Sequence, residues 1–409
     1  MRSVGVLIVL CMISMISSAQ KTDKWFGSLL LKEGSPAFKK VLDAPSVYQY
    51  QVIYTRIDRD RNNKPHFKSF YLNTDAGRYF NPASTVKLPA ALIALEKLND
   101  LKITGVDKYS PMITDSVFSG QTKVLKDETS ENGYPSVAHY IKKVFLVSDN
   151  DAYNRLYEWD GQQDLNEKLW QKGYVNTRIN RRFVPLSEEE NRHTNPVSFL
   201  KEGKTVYTQA PAYSKVTFDF SRKVLIGKAH YNRSDVLVNE PMDFSRHNNF
   251  PLEEQQAMLR AILFPEAVKR KQTFRLSSDD YHFLYQYMSM LPRESRYPRY
   301  DTTEFFDGYA KFFLGRDGKS VLPSAVRIFS KAGWAYGFMT DNAYVADMEN
   351  NIEFLISATI YVNSDGILND DKYDYDTIGY PFFKELGEII YKNELNRKKR
   401  YKPDFSKFR

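Results

Sequence analysis

Cysteine is nearly absent. The 409 residues contain one, Cys11, inside an apolar stretch at the start of the chain. Beyond that stretch the sequence can form no disulfide, supply no thiolate nucleophile and build no cysteine-based metal site. The six histidines, at 66, 139, 193, 230, 247 and 282, show no His-x-x-x-His or comparable spacing. Each reads as a structural or surface residue, so no metal or other cofactor is expected. A Gly-rich phosphate loop is missing, as is any motif for reading nucleic acid. Runs long enough to cross a bilayer comfortably are missing too: Val4–Ile16 is too short. There is no internal repeat or low-complexity segment.

What is present first is a leader. Arg2 gives a basic start, Val4–Ile16 is almost continuously apolar, and Ser17-Ser18-Ala19 offers small residues for cleavage before Gln20. An uncleaved anchor is the weaker alternative. Leu10 stands before Cys11 where a lipoprotein leader needs a small residue, so lipidation is not expected. Residues 1–19 are therefore expected to be removed and the rest exported, to a bacterial periplasm, a destination compatible with the lack of disulfides. The composition, 42% hydrophobic and 26% charged with 28 Tyr and 27 Phe, is that of a globular chain with a large core. Net charge is +8, or +7 once Arg2 is gone. Part of the excess is local, in Arg397-Lys398-Lys399-Arg400 and then Lys402, Lys407 and Arg409. It suggests weak attraction to an anionic cell envelope; the plainer reading, and the favoured one, is a solvated helix tail.

Strand patterns occupy both ends of the chain and helical ones the middle. A first helix is expected over Trp25–Leu42. Val47–Ile57 and His66–Leu72 read as a hairpin. Arg327–Trp334, Asn342–Met348 and Ile352–Val362 read as an antiparallel meander, followed by a helix over Phe382–Leu395. Between them, Val137–Val147 carries a helical apolar stripe, and Leu252–Phe264 and Ser278–Leu291 are helical as well. The expected fold class is α/β (α+β): one antiparallel sheet built from both chain ends and flanked by helices, with a helical subdomain inserted. Residues 20–409 form one domain. Its sheet part is 46–81 and 326–396 with the terminal helix, and its mainly helical part is 82–325 with a β-like insertion at 197–245. A site would form in the crevice between the two parts.

Ser84 and Lys87 stand three residues apart at the start of the helical run Ala90–Leu98, on one face of a helical turn. An adjacent base corrects the poor nucleophilicity of a hydroxyl. A lysine serves as that base only if burial or a neighbouring cation lowers its pKa. Ser-x-x-Lys alone is common and most often marks a capped helix start. Here it is followed by Ser148-Asp149-Asn150 in a loop between helices, and by Lys331-Ala332-Gly333 on the first strand of the meander. That set, in that order and context, resembles the penicillin-recognising serine hydrolases, closest in layout to the class A β-lactamases, whose motifs are S-x-x-K, S-D-N and K-T-G.

The resemblance implies a β-lactamase/transpeptidase-like fold and an acyl-enzyme on Ser84. Lys87 would take or relay the serine proton, and Ser148 would pass a proton to the leaving nitrogen. Asn150 would hold the substrate amide, and Lys331 would add positive charge. The backbone N–H groups of Ser84 and Trp334 would form the oxyanion hole, with Gly333 permitting close approach. Asp149 reads as a turn and cap residue. Two departures stand out. Ala332 lacks the hydroxyl that helps bind the substrate carboxylate, with Tyr336, Ser330 and Arg327 the nearby stand-ins. The loop glutamate that activates the hydrolytic water in class A enzymes has no counterpart in Gly173–Pro185, and Glu188, Glu189 and Glu190 come slightly later.

The resemblance thus implies an exported serine hydrolase that opens a β-lactam amide. The alternative is a D-alanyl-D-alanine peptidase or related cell-wall amidase or esterase acting on a peptidoglycan peptide. A third reading, from another class, is a non-catalytic binding protein that kept the fold. A monomer is expected.

Overall fold

The structure is a computed structural model that describes residues 20–118, 120, 122–315 and 321–408. The expected leader, with Cys11, lies outside the described residues. Five antiparallel strands form the central sheet: β1 (Gln51–Arg59), β2 (Pro65–Leu72), β3 (Val326–Ala335), β4 (Phe338–Asp347) and β5 (Ile352–Tyr361). Their spatial order is β3-β4-β5-β1-β2, so the first hairpin pairs with the last strand, in a register that sets Gln51 against Thr359 and Arg56 against Phe354. Every residue of β4 and β5 is buried. Helices cover both faces of the sheet, so the polar residues of these strands, among them Asn342, Glu353, Ser357 and Thr359, are buried and hydrogen-bonded rather than turned to solvent.

One face carries Ile57, Phe329, Tyr344 and Leu355. It packs on α3 (Lys87–Leu101), α4 (Val137–Leu146), α5 (Asn150–Asp160), α7 (Leu252–Leu263) and α8 (Ser278–Ser289), with α6 (Gln162–Gln171) following α5 in the same helical part. The other face carries Val52, Tyr54, Ile328, Phe354 and Ile356, covered by α1 (Lys24–Glu33), α2 (Pro36–Leu42) and α9 (Tyr380–Asn396). Helix α3 is the pillar of the helical part: every residue from Lys87 to Glu96 is buried. Its polar members survive there only because they are partnered. Glu96, for example, accepts an ion pair from Lys172 at 2.8 Å.

Local departures from the sequence reading have local causes. The expected first helix over Trp25–Leu42 is two helices, broken at Gly34; a Cβ there would lie 2.7 Å from Leu30 O. Ser35 then caps α2, its hydroxyl accepting from Phe38 N at 3.2 Å, with Pro36 at the first helical position. Strand β1 begins at Gln51 rather than Val47, because Pro45–Tyr48 forms a helical turn closed by Gln49 at φ 44°. The segment 197–245 is β in kind but fragmentary. Val197–Lys201 and Lys204–Gln209 make a hairpin that extends onto Met112–Thr114, and the rest is two- and three-residue pieces. The basic tail also folds back on the body instead of standing in solvent. Arg397 pairs with Glu394 and Asp58, Lys399 donates to Asn351 O at 3.1 Å, and Lys407 pairs with Glu266 at 3.7 Å. Among the described residues no helix is long and apolar enough to cross a membrane.

The join between the two chain ends holds a buried ion pair. Arg59 of β1 meets Glu353 of β5 through Nε at 2.6 Å and Nη2 at 2.7 Å, and Tyr344 OH donates to the same carboxylate at 2.9 Å. Removing one member strands the other in a dry interior. Glu353→Ala is expected to lower unfolding stability by about 3–5 kcal/mol in a urea titration, whereas removal of the surface ion pair Lys392–Glu33 should leave the unfolding midpoint nearly unchanged.

Candidate active site

Three elements converge at the end of α3. The residues before it form a tight turn, Ala83–Val86, with Ala83 in the left-handed region at φ 44°. Asn81 Oδ1 fixes the turn by accepting from Ala83 N at 2.8 Å, and Thr85 Oγ1 closes it on Pro82 O at 2.7 Å. This sets Ser84 half-buried at the floor of a cleft and sends Lys87 inward. The second element is the corner between α4 and α5. Ser148 takes φ 60°, and Asp149 caps α5 by accepting from Ala152 N at 2.8 Å, the turn-and-cap place read for it in the sequence. The third is β3, the edge strand. Phe329, Lys331 and Gly333 alternate toward the helical part, whereas Ile328, Ala332 and Trp334 face α9.

These elements touch. Lys87 Nζ donates to Ser148 O, to Ser148 Oγ at 3.3 Å and to Asn150 Oδ1 at 2.7 Å. Lys331 Nζ donates to Ser148 Oγ at 2.9 Å and to Ala332 O at 2.7 Å. A Cβ on Gly333 would lie 2.5 Å from Ser84 N and 3.0 Å from Thr85 N, so only glycine lets the strand lie this close to the serine turn. The next residue, Trp334, lines the cleft, and its ring packs on Tyr309 and Phe312 at 5.9 and 5.8 Å between centroids. Ser84, Lys87, Ser148, Asn150, Lys331, Gly333 and Trp334 therefore meet in one place.

Neither amine has a carboxylate in contact among the described residues. Lys87 is fully buried, and that burial, with the Lys331 charge beside it, holds its pKa well below the ordinary lysine value against a weaker pull from Asp149. Burial likewise lowers Lys331 to about 7, with Lys311 reinforcing the shift and Asp341 opposing it. Asp341, also buried, is raised by burial to about 6 despite accepting from Phe312 N at 2.9 Å. A neutral Lys87 near neutral pH can accept a proton, and a charged Lys331 hydrogen-bonded to Ser148 Oγ can supply one. No group of three or more potential metal ligands occurs among the described residues.

The stand-ins weighed for Ala332 separate clearly. Ala332 is itself buried in the apolar layer on the α9 side, and Ser330 shares that face. Arg327 is committed to Glu294 at 2.9 Å. Tyr336 alone of the three lines the cleft. The late glutamates are occupied elsewhere. Glu188 pairs with Arg246 at 2.6 Å, Glu189 accepts from Tyr213 OH at 3.3 Å, and Glu190 closes a capping box with Ser187. Arg182 ties this segment down through backbone, donating to Glu190 O at 2.8 Å and to His193 O at 2.7 Å, while its carboxylate partner is the buried Glu158.

Phe183 is the residue the sequence reading missed. Its ring lies 5.1 Å from Lys87 Nζ and forms part of the cleft wall. The lack of an acid in Gly173–Pro185 was visible, but nothing in the sequence said that an aromatic ring would lie over the lysine. The cleft encloses about 740 Å³, and Asp371 is the one carboxylate that lines it among the described residues.

Residues 38–228, just under half of the chain, match the model of the beta-lactamase enzyme family. Among solved structures, the β-lactamase of Sphaerobacter thermophilus is similar over 88% of this chain and 97% of that one, at 14% identity and a TM-score of 0.47. The chromosome-encoded β-lactamase of Vibrio parahaemolyticus is similar over 88% and 99%, at 14% identity and 0.48. A mutant of PBP-A, solved as an acyl-enzyme complex with penicillin G, is similar over 87% and 95%, at 15% identity and 0.46. No curated protein matches the chain. The family match spans Ser84, Lys87 and Ser148, and Lys331 joins them at Ser148 from the far end of the sequence.

Proposed function

We propose that this protein is an exported acyl-enzyme-forming hydrolase of the class A type that opens a β-lactam amide on Ser84. The observation that carries the proposal is the buried, counter-ion-free Lys87 hydrogen-bonded into the Ser148–Asn150 corner. Ser84 Oγ attacks the carbonyl carbon while its proton passes to the neutral Lys87 amine. The developing oxyanion is held by the backbone N–H groups of Ser84 and Trp334, brought together by Gly333. The carbon–nitrogen bond then breaks. Ser148 gives its proton to the departing nitrogen and is resupplied from the ammonium of Lys331, 2.9 Å away. Asn150, bonded to Lys87, is exposed on its other side and holds the substrate amide.

Breakdown of the acyl-enzyme is the slow half. A hydrolytic water needs a base, and the wall beside Lys87 presents the Phe183 ring. This favours the second reading, a D-alanyl-D-alanine peptidase or related cell-wall amidase or esterase, more than the sequence alone does. A purely binding role is disfavoured by the convergence of two buried amines, Lys87 and Lys331, on Ser148 beside the serine turn. Export through residues 1–19, a periplasmic location and a monomeric state belong to the same proposal. Any attraction to an anionic envelope would fall to the exposed Lys398, Arg400 and Lys402 region, since Arg397, Lys399 and Lys407 are engaged.

A penicillin incubated with the protein is expected to leave an adduct on Ser84 that intact mass spectrometry still detects after minutes. Ser84→Ala should leave none, and Phe183→Glu should shorten the adduct's life at least about tenfold. A wild-type adduct that never accumulates despite rapid penicillin loss would contradict slow deacylation. The acylation rate should also fall as pH rises past about 7, where Lys331 loses its proton. In Lys331→Arg the cation persists, so that limb should move up by about two pH units or more in a stopped-flow pH profile. If export is as proposed, protein recovered from a periplasmic fraction should have a mass that starts at Gln20.

A further inference from the structure

The cleft has two ends along β3. At one, Lys331 holds Ser148, the side on which the nitrogen departs. At the other, past Gly333 and Trp334, the strand turns at Tyr336 (φ 55°); in the acyl-enzyme reading the nitrogen departs toward Ser148, which leaves this end to the acyl group. The walls of this second end come from the segments 178–185, 229–248 and 367–375. Ile367–Leu368 pairs with Ala229–His230, and Asn369 Nδ2 donates to Tyr231 O at 2.9 Å, which fixes the loop bearing Asp371 against the turn bearing Arg233.

Arg181 lines this end with its backbone pinned. Its N–H donates to Asn248 Oδ1 at 3.1 Å, and its carbonyl accepts from Tyr153 OH at 3.0 Å. Its guanidinium, half-buried, has no hydrogen bond or ion pair with any described residue. The neighbouring cation gives no relief: Arg178 donates only to the carbonyls of Asp219, Ser245 and His247. His247, whose ring lies 6.0 Å from that of Tyr336, is held neutral by burial and by Arg181, its pKa lowered to about 3. Arg233 is exposed at the rim; it makes no ion pair with a described residue, and Glu190 is its acidic neighbour. Set against Arg181 and Arg233 is the single carboxylate of Asp371.

We infer that this end of the cleft is a subsite for an anionic acyl side chain, held by Arg181 with Arg233 at the rim. The inference rests on the acyl-enzyme reading at Ser84 and names its substrate class: acyl donors with a carboxylate or similar acid on the acyl side of the scissile amide. A half-buried guanidinium with no internal partner is set up to take a carboxylate through both nitrogens.

The test compares benzylpenicillin with the analogue that carries a carboxylate on the side-chain carbon next to the amide carbonyl. Second-order acylation rates are read by intact mass. The carboxylate analogue is expected to react at least about tenfold faster with the wild-type chain. The ratio should shrink as salt is raised, approach one in Arg181→Gln and fall in Arg233→Gln. Should circular dichroism show that Arg181→Gln does not fold, the exposed Arg233→Gln and the salt series decide. A wild-type ratio of one or less, or a ratio unmoved by both substitutions, overturns the subsite while leaving acylation intact. No adduct with either penicillin overturns the acyl-enzyme reading and the subsite with it.

Discussion

An ammonium group in a dry interior is costly, and Lys87 carries none of the usual compensation. It has two hydroxyl or carbonyl contacts at Ser148 and an amide oxygen at Asn150, but no carboxylate. The fold relieves this by letting the group lose its proton, and a lysine that has lost its proton is a base. Much of the architecture around it enforces that outcome. The wholly buried first turns of α3 exclude water, and β3 brings a second amine close by. The Ser148 corner supplies acceptors that carry no charge. A carboxylate at any of these places would restore the proton and silence the serine.

The outline of this arrangement was legible in the sequence because its parts are short and rigidly spaced. Ser84 and Lys87 share a helical turn, and Ser148-Asp149-Asn150 breaks one helical stripe and starts another. Lys331 and Gly333 alternate onto one face of a strand. The sheet from both chain ends was legible for a related reason: its strands are rich in β-branched and aromatic residues. What was not legible depended on orientation after folding. Ala332 looked like a defect in carboxylate binding, yet its side chain lies in the apolar layer beside α9. Nor did the sequence say that Arg182 reaches back to Glu158 in α5.

The segment 197–245 changes how the cleft is read. As sequence it is a polar stretch with weak strand signals. In the fold its 229–238 turn pairs with a short strand from beyond β5 and brings Arg233 to the cleft, alongside Asn369, Asp371 and Tyr373 of the paired segment. The reacting centre is assembled from helix and strand ends, and its surroundings come from irregular segments whose side chains are free to differ without disturbing the core. Phe183 belongs to this second category, which is why the half of the chemistry that depends on it departs furthest from the motif-based expectation.

The spatial order of the sheet has a consequence in time. Ser84, Lys87 and Ser148 are made early, but Lys331 and Gly333 arrive only when the last quarter of the chain has been synthesised and β5 has zipped onto β1. Pairing over such a sequence separation is a late, slow event in folding. Until it happens, Lys87 lacks the neighbouring Lys331 charge, and the strand edge beside the serine is missing. The reactive group is thus created by completion of the chain, and an unfinished or unfolded copy carries all of its early residues without the reactivity.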